Sequence, residues 1–357
     1  MQSDITIPVS ESPAIVSLVE TKESVVDAVG AAMEAADWTR FIPAGCDVCI
    51  KPNLGWDLFM PGAVTSPLVV EGVIRKLKER VGKLYMVEAN QVLVNCELPF
   101  EQTGMDRLCQ QYDVEWINLS KAPFEKVQVP NPMEVETIDL PEVLTRTRLV
   151  TIPVMKTHNK TVLSGGIKNQ WGCLPTFRHN FHPVLDQVLH DLTSVLRPSF
   201  TVLDGTVALE GNGPKSGRPR ICNLVMASDD PVAVDTISAE VMQLDRFRIR
   251  HLEFCAAAGL GVHDRSKIKV VGEDGQPRKS VPTFDFETAH HNAVSWVETV
   301  LRGSFVRKLV FESPLLVPLC FGARIWYYIW YYVLKGRQLR DKAIRESPYG
   351  DQWKRYL

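Results

Sequence analysis

Four stretches of this chain share one pattern, in which a short apolar run leads directly into charged or amide residues. The runs are uninterrupted and rich in β-branched residues, which is typical of strands buried on both faces of a parallel sheet. The stretches are CDVCIKPN (46–53), KLYMVEAN (83–90), LVTIPVMKTH (149–158) and SFTVLDG (199–205). In open α/β sheets, ligands bind beyond the carboxyl ends of the strands. The pattern therefore predicts one crevice where these polar ends meet.

The residues expected at this crevice are polar and close to the ends of the four runs. In chain order they are Lys51, Asn53, Glu88, Asn90, Lys156, His158 and Asp204. This convergence predicts the position of a site without naming its reaction.

Helical patterns alternate with the strands. They cover residues 22–37, 66–82, 100–114, 182–196 and 229–242. Strand, helix and strand at this spacing predict an α/β fold, with a mostly parallel, doubly wound sheet and flanking helices. We place this domain at residues 1–300 and an apolar, aromatic helical tail at 301–357.

Composition narrows the class of protein. The formal net charge of −2 provides no general attraction to nucleic acid, which we therefore do not expect as a partner. The eight cysteines are scattered, and the first residues lack the plan of a signal peptide, so we expect a cytoplasmic protein. Cys46 and Cys49 form a lone CxxC, but residues three apart in a strand face opposite ways. Buried packing is favoured there over a metal site.

Six short motifs occur in one order along the chain: KPN (51–53), KTH (156–158), GGIKNQWG (165–172), Asp204-Gly205, GNGP (211–214) and DDPVAVD (229–235). In this order they resemble the DUF362 family, a domain of unknown function, over roughly residues 45–260. Many members also carry a ferredoxin-like cassette with closely spaced cysteines. The sequence shows no such spacing, so an iron–sulfur role does not carry over. The resemblance supports the fold and leaves the chemistry and any cofactor unknown.

Lys51 and Asn53 follow the first buried run and are candidates for ligand binding. A lysine there binds phosphate or carboxylate as a point charge. The structural alternative is an ion pair between Lys51 and Glu88, since a buried unpaired lysine is costly.

Lys156 and His158 are candidates for proton transfer. They are two residues apart, so their side chains share one face of an extended strand. Histidine titrates near neutral pH, and burial can turn a lysine into a base. We expect Asp204 or Glu88 to orient that base. The alternatives are a structural histidine at 158 and an aspartate at 204 that only holds a lysine.

The segment GGIKNQWG predicts an anion cradle. The amides of Gly165 and Gly166 can approach a ligand closely, and a helix that follows favours negative charge. Lys168 and Asn169 would add side-chain contacts. The spacings of a Walker A loop and of a dinucleotide fingerprint are absent, which argues against nucleotide hydrolysis. Glycines that serve packing alone are the alternative.

A polar loop then brings Arg178, His179 and His182. The histidines suit a metal, together with His158 and a carboxylate. Crowding by lysine and arginine disfavours a divalent cation and favours an oxyanion. We therefore assign Arg178 and His182 to anion binding and no residue to a metal.

Two further segments are predicted near the cleft. Asp235 lies one turn inside a helix that Asp230 caps, and it points either at the crevice or at a buried base. Lys215 and Arg218 follow the GNGP loop and either reach into the cleft or stay exposed.

The tail LLVPLCFGARIWYYIWYYVL (315–334) approaches the length of a membrane helix, but Arg324 lies near its middle. Its tryptophans and tyrosines favour the headgroup region, and basic residues follow. We predict a peripheral membrane contact through 315–345. A helix that covers the domain's own core and a dimerisation arm are the alternatives.

Together these features predict an enzyme that applies acid–base chemistry to an anionic small molecule bearing phosphate or carboxylate. The tail would make that molecule lipid-linked or apolar. Isomerase- or transferase-like chemistry fits the residue types better than redox chemistry. The alternative is a non-catalytic carrier, or an accessory protein, that binds a metal centre or organic cofactor in the same cleft. A homo-oligomer is left open.

Overall fold

The computed structural model describes residues 13–21, 23–91, 94–175, 178–288, 296–297, 300–301, 304, 307–311 and 313–353. Within these residues the protein is α/β, with a largely parallel central sheet flanked by helices and a C-terminal helical segment. The predicted fold class is confirmed.

The strands in chain order are β1 (Ala14–Glu20), β2 (Val48–Pro52), β3 (Leu84–Glu88), β4 (Glu115–Asn118), β5 (Phe124–Gln128), β6 (Thr137–Pro141), β7 (Arg148–Ile152), β8 (Val154–His158), β9 (Val162–Ser164), β10 (Phe200–Glu210), β11 (Arg218–Ser228) and β12 (Ile268–Val271). The main sheet has the order β12-β1-β11-β10-β7-β2-β3-β4. Strand β8 pairs with β10 and β9, and β5 with β6 forms a separate hairpin. Strands β7, β2, β3 and β4 run parallel, so their carboxyl ends share one edge.

The helices are α1 (Val25–Ala35), α2 (Pro67–Lys78), α3 (Glu97–Gln102), α4 (Met105–Tyr112), α5 (Glu142–Arg146), α6 (Gly166–Asn169), α7 (Leu185–Val195), α8 (Pro231–Val241), α9 (Arg250–Ala257), α10 (Arg307–Phe311), α11 (Leu316–Ile329), α12 (Gly336–Glu346) and α13 (Gly350–Trp353). A π-helical turn, Trp330–Leu334, extends α11. Short 3-10 segments are Trp38–Arg40, Gln170–Cys173, His179–Val184, Arg246–Arg248 and Arg265–Lys267.

Two helix starts follow directly from the sequence. Ser66 accepts a hydrogen bond from the Leu68 amide and precedes the proline at the first position of α2. Asp230 accepts from the amides of Val232 and Ala233 at the start of α8. Both are N-caps, since a short polar side chain supplies an acceptor to backbone amides of the first turn that have no partner within the helix. The cap at Asp230 is the predicted one.

The core lies on both faces of the sheet, as a doubly wound arrangement requires. Val48 and Ile50 of β2 pack with α1, α2 and α4, whereas Cys49 points to the side of α7, α8 and α9. This alternation explains why the run is apolar throughout.

Two sequence predictions about element boundaries are wrong. The fourth strand does not end at Asp204: β10 continues to Glu210 and forms an antiparallel hairpin with β11. The Gly205-Thr206 step is an irregularity in the register and not a turn, so the strand passes through it. The helix expected at 100–114 is instead α3 and α4, separated at Gly104, which has a φ of 73°.

The tail packs on the α/β domain. Trp56 contacts Trp330 and Tyr331, with ring centroids 6.1 and 5.4 Å apart. The Tyr331 hydroxyl donates to the Phe59 carbonyl at 3.2 Å, and Tyr349 is buried beside the main sheet. These contacts match the alternative in which the tail covers the domain's own core. Of the helices described, none is both long and apolar enough to span a membrane.

Candidate functional site

A cavity of about 500 Å³ lies where β2, β3 and β8 end. Polar side chains from these strand ends, from the loops after β8 and β10 and from the segment after β9 form its floor. They include Lys51, Asn53, Glu88, Lys156, His158, Lys160, Lys168, Asn169, Arg178, His182 and Lys215. Gly165 and residues of the helical tail also line the cavity.

Lys51 and Glu88 form a buried ion pair at the floor. Lys51 Nζ lies 2.9 Å from Glu88 Oε2 and also donates to the Pro52 carbonyl at 2.9 Å. Glu88 accepts from the amides of Leu54 and Ala89 at 3.2 and 3.0 Å. Lys51 is therefore paired, as in the structural alternative, and the Glu88 carboxylate is fully engaged. We assign neither side chain to the ligand.

Lys156 lines the floor, and no carboxylate of the described residues forms an ion pair with it. Its Nζ donates to Asn53 Oδ1 at 3.1 Å and to the Ala63 carbonyl at 2.8 Å. Burial, reinforced by the charges of Lys215 and Lys51, lowers the pKa of Lys156 from 10.5 to about 7. With two of its N–H groups bound to these acceptors, the Lys156 amine has a third site that is free to act. This site carries a hydrogen when the amine is protonated and a lone pair when it is neutral.

Asn53 and Asn169 position this lysine. Asn53 Nδ2 donates to Asn169 Oδ1 at 3.1 Å, which fixes Asn53 Oδ1 as the acceptor for Lys156. Asn169 in turn donates to the Lys51 carbonyl and to Thr151 Oγ1. The two amides therefore join α6 to the ends of β2 and β7.

His158 has a defined tautomer. Its Nδ1 accepts from the backbone amides of Lys160 at 3.0 Å and Thr161 at 3.4 Å. Burial, together with the nearby charge of Lys168, lowers the pKa of His158 well below 6.5. The ring is consequently neutral, with its hydrogen on Nε2. His158 can donate a hydrogen bond from Nε2, but it cannot accept a proton there.

Lys168 and Arg178 are two further basic side chains of the floor. Lys168 Nζ lies 5.4 Å from the Trp171 ring centroid, and burial lowers its pKa well below 10.5. Arg178 Nη1 donates to the carbonyls of Asn90 and Leu174. In the part of the chain that the structure describes, Arg178 Nε and Trp171 Nε1 are buried without an acceptor. Buried donors normally have partners, so these two N–H groups are available to an acceptor on a ligand.

The paired glycines hold a protein carboxylate. Asp235 accepts from the amides of Gly166 at 2.6 Å and Ile167 at 3.1 Å, at the start of α6. A side chain at position 165 would place its Cβ 2.0 Å from Asp235 Oδ1, which explains the glycine there. Asp235 thus occupies the predicted anion cradle, and it is not among the residues that line the cavity. We therefore assign these amides and Asp235 a structural role and not a role in ligand binding.

Asp204 lies outside the cavity as well. Its carboxylate accepts from the Ser66 amide at 2.8 Å and from the Thr206 amide at 3.0 Å. It therefore connects β10 to the start of α2 and does not orient Lys156. The sequence suggested otherwise because Asp204 ends an apolar run in the middle of a longer strand.

His182 lies at the edge of the floor. Its Nδ1 is 2.7 Å from Lys160 Nζ, and its ring stacks on Trp171 with centroids 6.4 Å apart. The side chain of His179 lies outside the described residues. Within the described residues, no group of three or more His, Cys, Asp and Glu side chains is arranged to hold a metal ion.

An apolar wall of the cavity comes from the C-terminal region, and all of it except Val297 belongs to the tail. It comprises Val297, Leu301, Phe311, Leu316, Leu319, Cys320, Ala323, Trp326 and Tyr327. The prediction of a separate tail did not include this contribution to the cavity. No local signal in the sequence shows which face of α11 turns inward.

A polar clasp holds this wall in place. Arg324 Nη2 lies 3.1 Å from the buried Asp57 Oδ2, and Tyr328 donates to the same oxygen. Lys215, from the loop after GNGP, lies with its Nζ 5.6 Å from the Tyr327 ring centroid. Burial lowers the pKa of Lys215 to about 8. Arg218 is instead paired with Glu210.

Comparison with known proteins supports the resemblance seen in the sequence. A sequence model described as "Domain of unknown function (DUF362)" matches residues 48–240. A thylakoid-associated protein of Synechocystis sp., sll1697, is 27% identical over 217 residues, which cover 58% of this chain. The match spans 66% of that relative, just under two thirds of its length. A crystal structure of a Thermotoga maritima protein aligns over 71% of this chain and 61% of its own, with 12% identity and a TM-score of 0.37.

Proposed function

The chain belongs to the DUF362 family, a domain of unknown function, and from the chemistry of its cleft we propose that it binds an anionic amphiphile and transfers a proton on it. The ligand carries a phosphate or carboxylate head and an apolar chain. The cations of the floor hold the head, and the inner face of the tail holds the chain.

The excess of basic side chains over carboxylates carries this proposal. Among the described residues that line the cavity, seven are lysine or arginine and two are carboxylates. Both carboxylates are already paired, Glu88 with Lys51 and Asp57 with Arg324. Lys156, Lys168 and Lys215 have no carboxylate oxygen within 4.0 Å in the described part of the chain. An anion would offset the cost of burying these amines.

The apolar wall supports a lipid-linked or chain-bearing ligand. A cavity of this volume matches pockets that enclose small organic molecules. Its lining combines cations and amides with aliphatic and aromatic side chains. A purely polar metabolite would leave the apolar part of this lining without a partner.

Lys156 is the group we assign to proton transfer. With a pKa of about 7 it is present in both protonation states at neutral pH, which is the condition for efficient acid–base chemistry. His158 donates from Nε2 and stabilises negative charge on the reacting ligand. Movement of one proton within the ligand without redox change corresponds to isomerase-like chemistry. Transferase-like chemistry would require, in addition, a second substrate that accepts the transferred group.

A non-catalytic carrier of an organic anion is the second candidate. The clasp from Arg324 and Tyr328 to Asp57 closes the tail over the cavity, which favours retention of a cargo. A carrier would co-purify with a stoichiometric organic anion, whereas an enzyme would release its product.

We also propose that the protein is cytoplasmic and peripheral on a membrane. The relative from Synechocystis sp. is named as thylakoid-associated. The proposed ligand, with its apolar chain, would partition into membranes. Both points support a peripheral position on a membrane.

Replacement of Lys168 by methionine tests the proposed head-group site. Dodecyl phosphate, below its critical micelle concentration, is expected to bind the wild type more tightly than dodecyltrimethylammonium. Lys168→Met should weaken dodecyl phosphate binding about tenfold to a hundredfold, as expected for a lost hydrogen bond to a charged group. Isothermal titration calorimetry measures both affinities.

Lys269→Met is the matched control, because Lys269 is exposed on β12, away from the cavity. It should leave the affinity unchanged. Equal affinity of the wild type for the cationic and anionic amphiphiles would refute the proposed function.

A further inference from the structure

The outer face of α11 carries a ridge of exposed apolar side chains. Val317, Phe321, Ile325, Ile329 and Val333 recur at intervals of four residues, and each is between 41% and 73% exposed. Side chains four apart on a helix lie one above another, so these five form one continuous strip along α11 and its π-helical turn. We call this strip the outer ridge.

The inner face of the same helix is apolar too. Leu316 and Trp330 are buried, and Ala323 and Tyr327 line the cavity or pack on the core. A helix at the surface of a globular protein normally has one apolar stripe and one polar face. Here the second apolar face lies on the surface, where contiguous apolar patches usually mark an interaction site.

Positive charge flanks the outer ridge. Lys335, Arg337, Lys342 and Arg345 are exposed and follow the ridge directly in the chain. The guanidinium carbon of Arg337 lies 5.9 Å from the ring centroid of Tyr332, which is itself exposed beside Val333. The segment 335–346 contains five basic and two acidic residues. An apolar ridge, an exposed tyrosine and an excess of basic residues therefore lie next to one another on this helical segment.

We propose that the outer ridge docks on a lipid bilayer that contains anionic lipid. The ridge would enter the boundary between headgroups and acyl chains, with Tyr332 at the headgroup level. The basic residues that follow would contact the negative lipid headgroups. This charge complementarity favours a bilayer over a second copy, whose ridge would bring a second basic segment.

The helix docks as part of the folded domain and lies along the membrane surface. Arg324 and Tyr328 attach it to the buried Asp57, and Trp56 packs against the turn that follows. The inference depends on this surface alone and does not require the ligand proposed above. Where both hold, the cavity lies directly beneath the membrane-facing helix, on the route by which an amphiphile would enter.

Vesicle co-sedimentation of the full chain tests the proposal. Wild type is expected to sediment with phosphatidylcholine vesicles that contain one third phosphatidylserine. The double variant Phe321→Ser/Ile325→Ser should lower partitioning at least tenfold, because two half-exposed apolar side chains are lost. Lys335→Gln/Arg337→Gln should lower it about tenfold or more on these vesicles and little on pure phosphatidylcholine.

Phe247→Ser is the matched control, since Phe247 is 64% exposed and distant in the chain from the ridge. It should sediment like the wild type. Unchanged thermal unfolding and dodecyl phosphate binding in the ridge variant would show that the fold and the cleft are intact. Wild-type protein that does not bind vesicles would overturn the proposal. So would a dimer in light scattering that the ridge variant dissociates without any loss of vesicle binding.

Discussion

Gly62→Ala is expected to lower the free energy of unfolding by about 3 kcal/mol or more, through two effects that act at one residue. Gly62 has a φ of +83°, where a side chain strains the backbone. A Cβ there would also lie 2.3 Å from the Ala208 carbonyl oxygen and 2.6 Å from its carbon. These atoms belong to the backbone of β10 and cannot move without disturbing the sheet. Urea unfolding monitored by circular dichroism measures the loss.

Gly45→Ala separates the two effects. Gly45 has a φ of +74°, but no atom lies within 4 Å of the position of an added Cβ. Gly45→Ala should therefore lower the free energy of unfolding only by the backbone strain, about 1 kcal/mol. Equal losses for the two variants would contradict the packing argument. Because Ala63 accepts from Lys156, Gly62→Ala should also weaken dodecyl phosphate binding, whereas Gly45→Ala should not.

Lys156→Met is expected to change how stability depends on pH. In the folded protein Lys156 has a pKa of about 7, whereas in the unfolded chain it keeps its ordinary value of 10.5. Between these values the unfolded state binds a proton that the folded state does not. The wild type must therefore gain stability as pH rises, and this gain is absent in the variant.

The difference in unfolding free energy between wild type and Lys156→Met should shift by about 2 kcal/mol in favour of the wild type from pH 7 to pH 9. Urea unfolding of both proteins across this range measures it. Lys269→Met should parallel the wild type at every pH. A difference that stays constant with pH would show that Lys156 titrates normally and would remove it as the proton-transfer group.

The sequence predicted the position of the cavity floor well. Lys51, Glu88 and Lys156 follow apolar runs that are strands of one sheet, and the carboxyl ends of parallel strands share one edge. These three residues could therefore be predicted to lie close together although they are far apart in the chain. The sequence left open whether Lys51 binds a ligand or pairs with Glu88, and the structure shows the ion pair. Among the described residues, no carboxylate is then left to pair with Lys156.

Asp204 and Asp235 show where a strand-end argument fails. Asp204 is followed by a glycine and a threonine that continue the strand, so the apparent end lies within β10. Asp235 faces the paired glycines from a helix more than sixty residues further along the chain, with its Oδ1 accepting from the Gly166 amide. The sequence indicated that an anion would lie at those amides, but it did not indicate that the protein supplies it.

The tail was ambiguous for a physical reason. Both faces of α11 are apolar, so periodicity could not separate a face that covers the domain from a face that meets a partner. In the structure the inner face packs on the core and lines the cavity. Lys215, which the sequence left between the cleft and solvent, lines the cavity beside this face.

The most direct test of the proposed binding mode is a crystal structure of the protein with 12-bromododecyl phosphate, in which anomalous scattering locates the bromine. We expect the phosphate among Lys156, Lys168 and Arg178, and the bromine beside Phe311 and Leu316 of the tail. A phosphate bound outside this floor, or a chain that lies away from the inner face of α11, would contradict it.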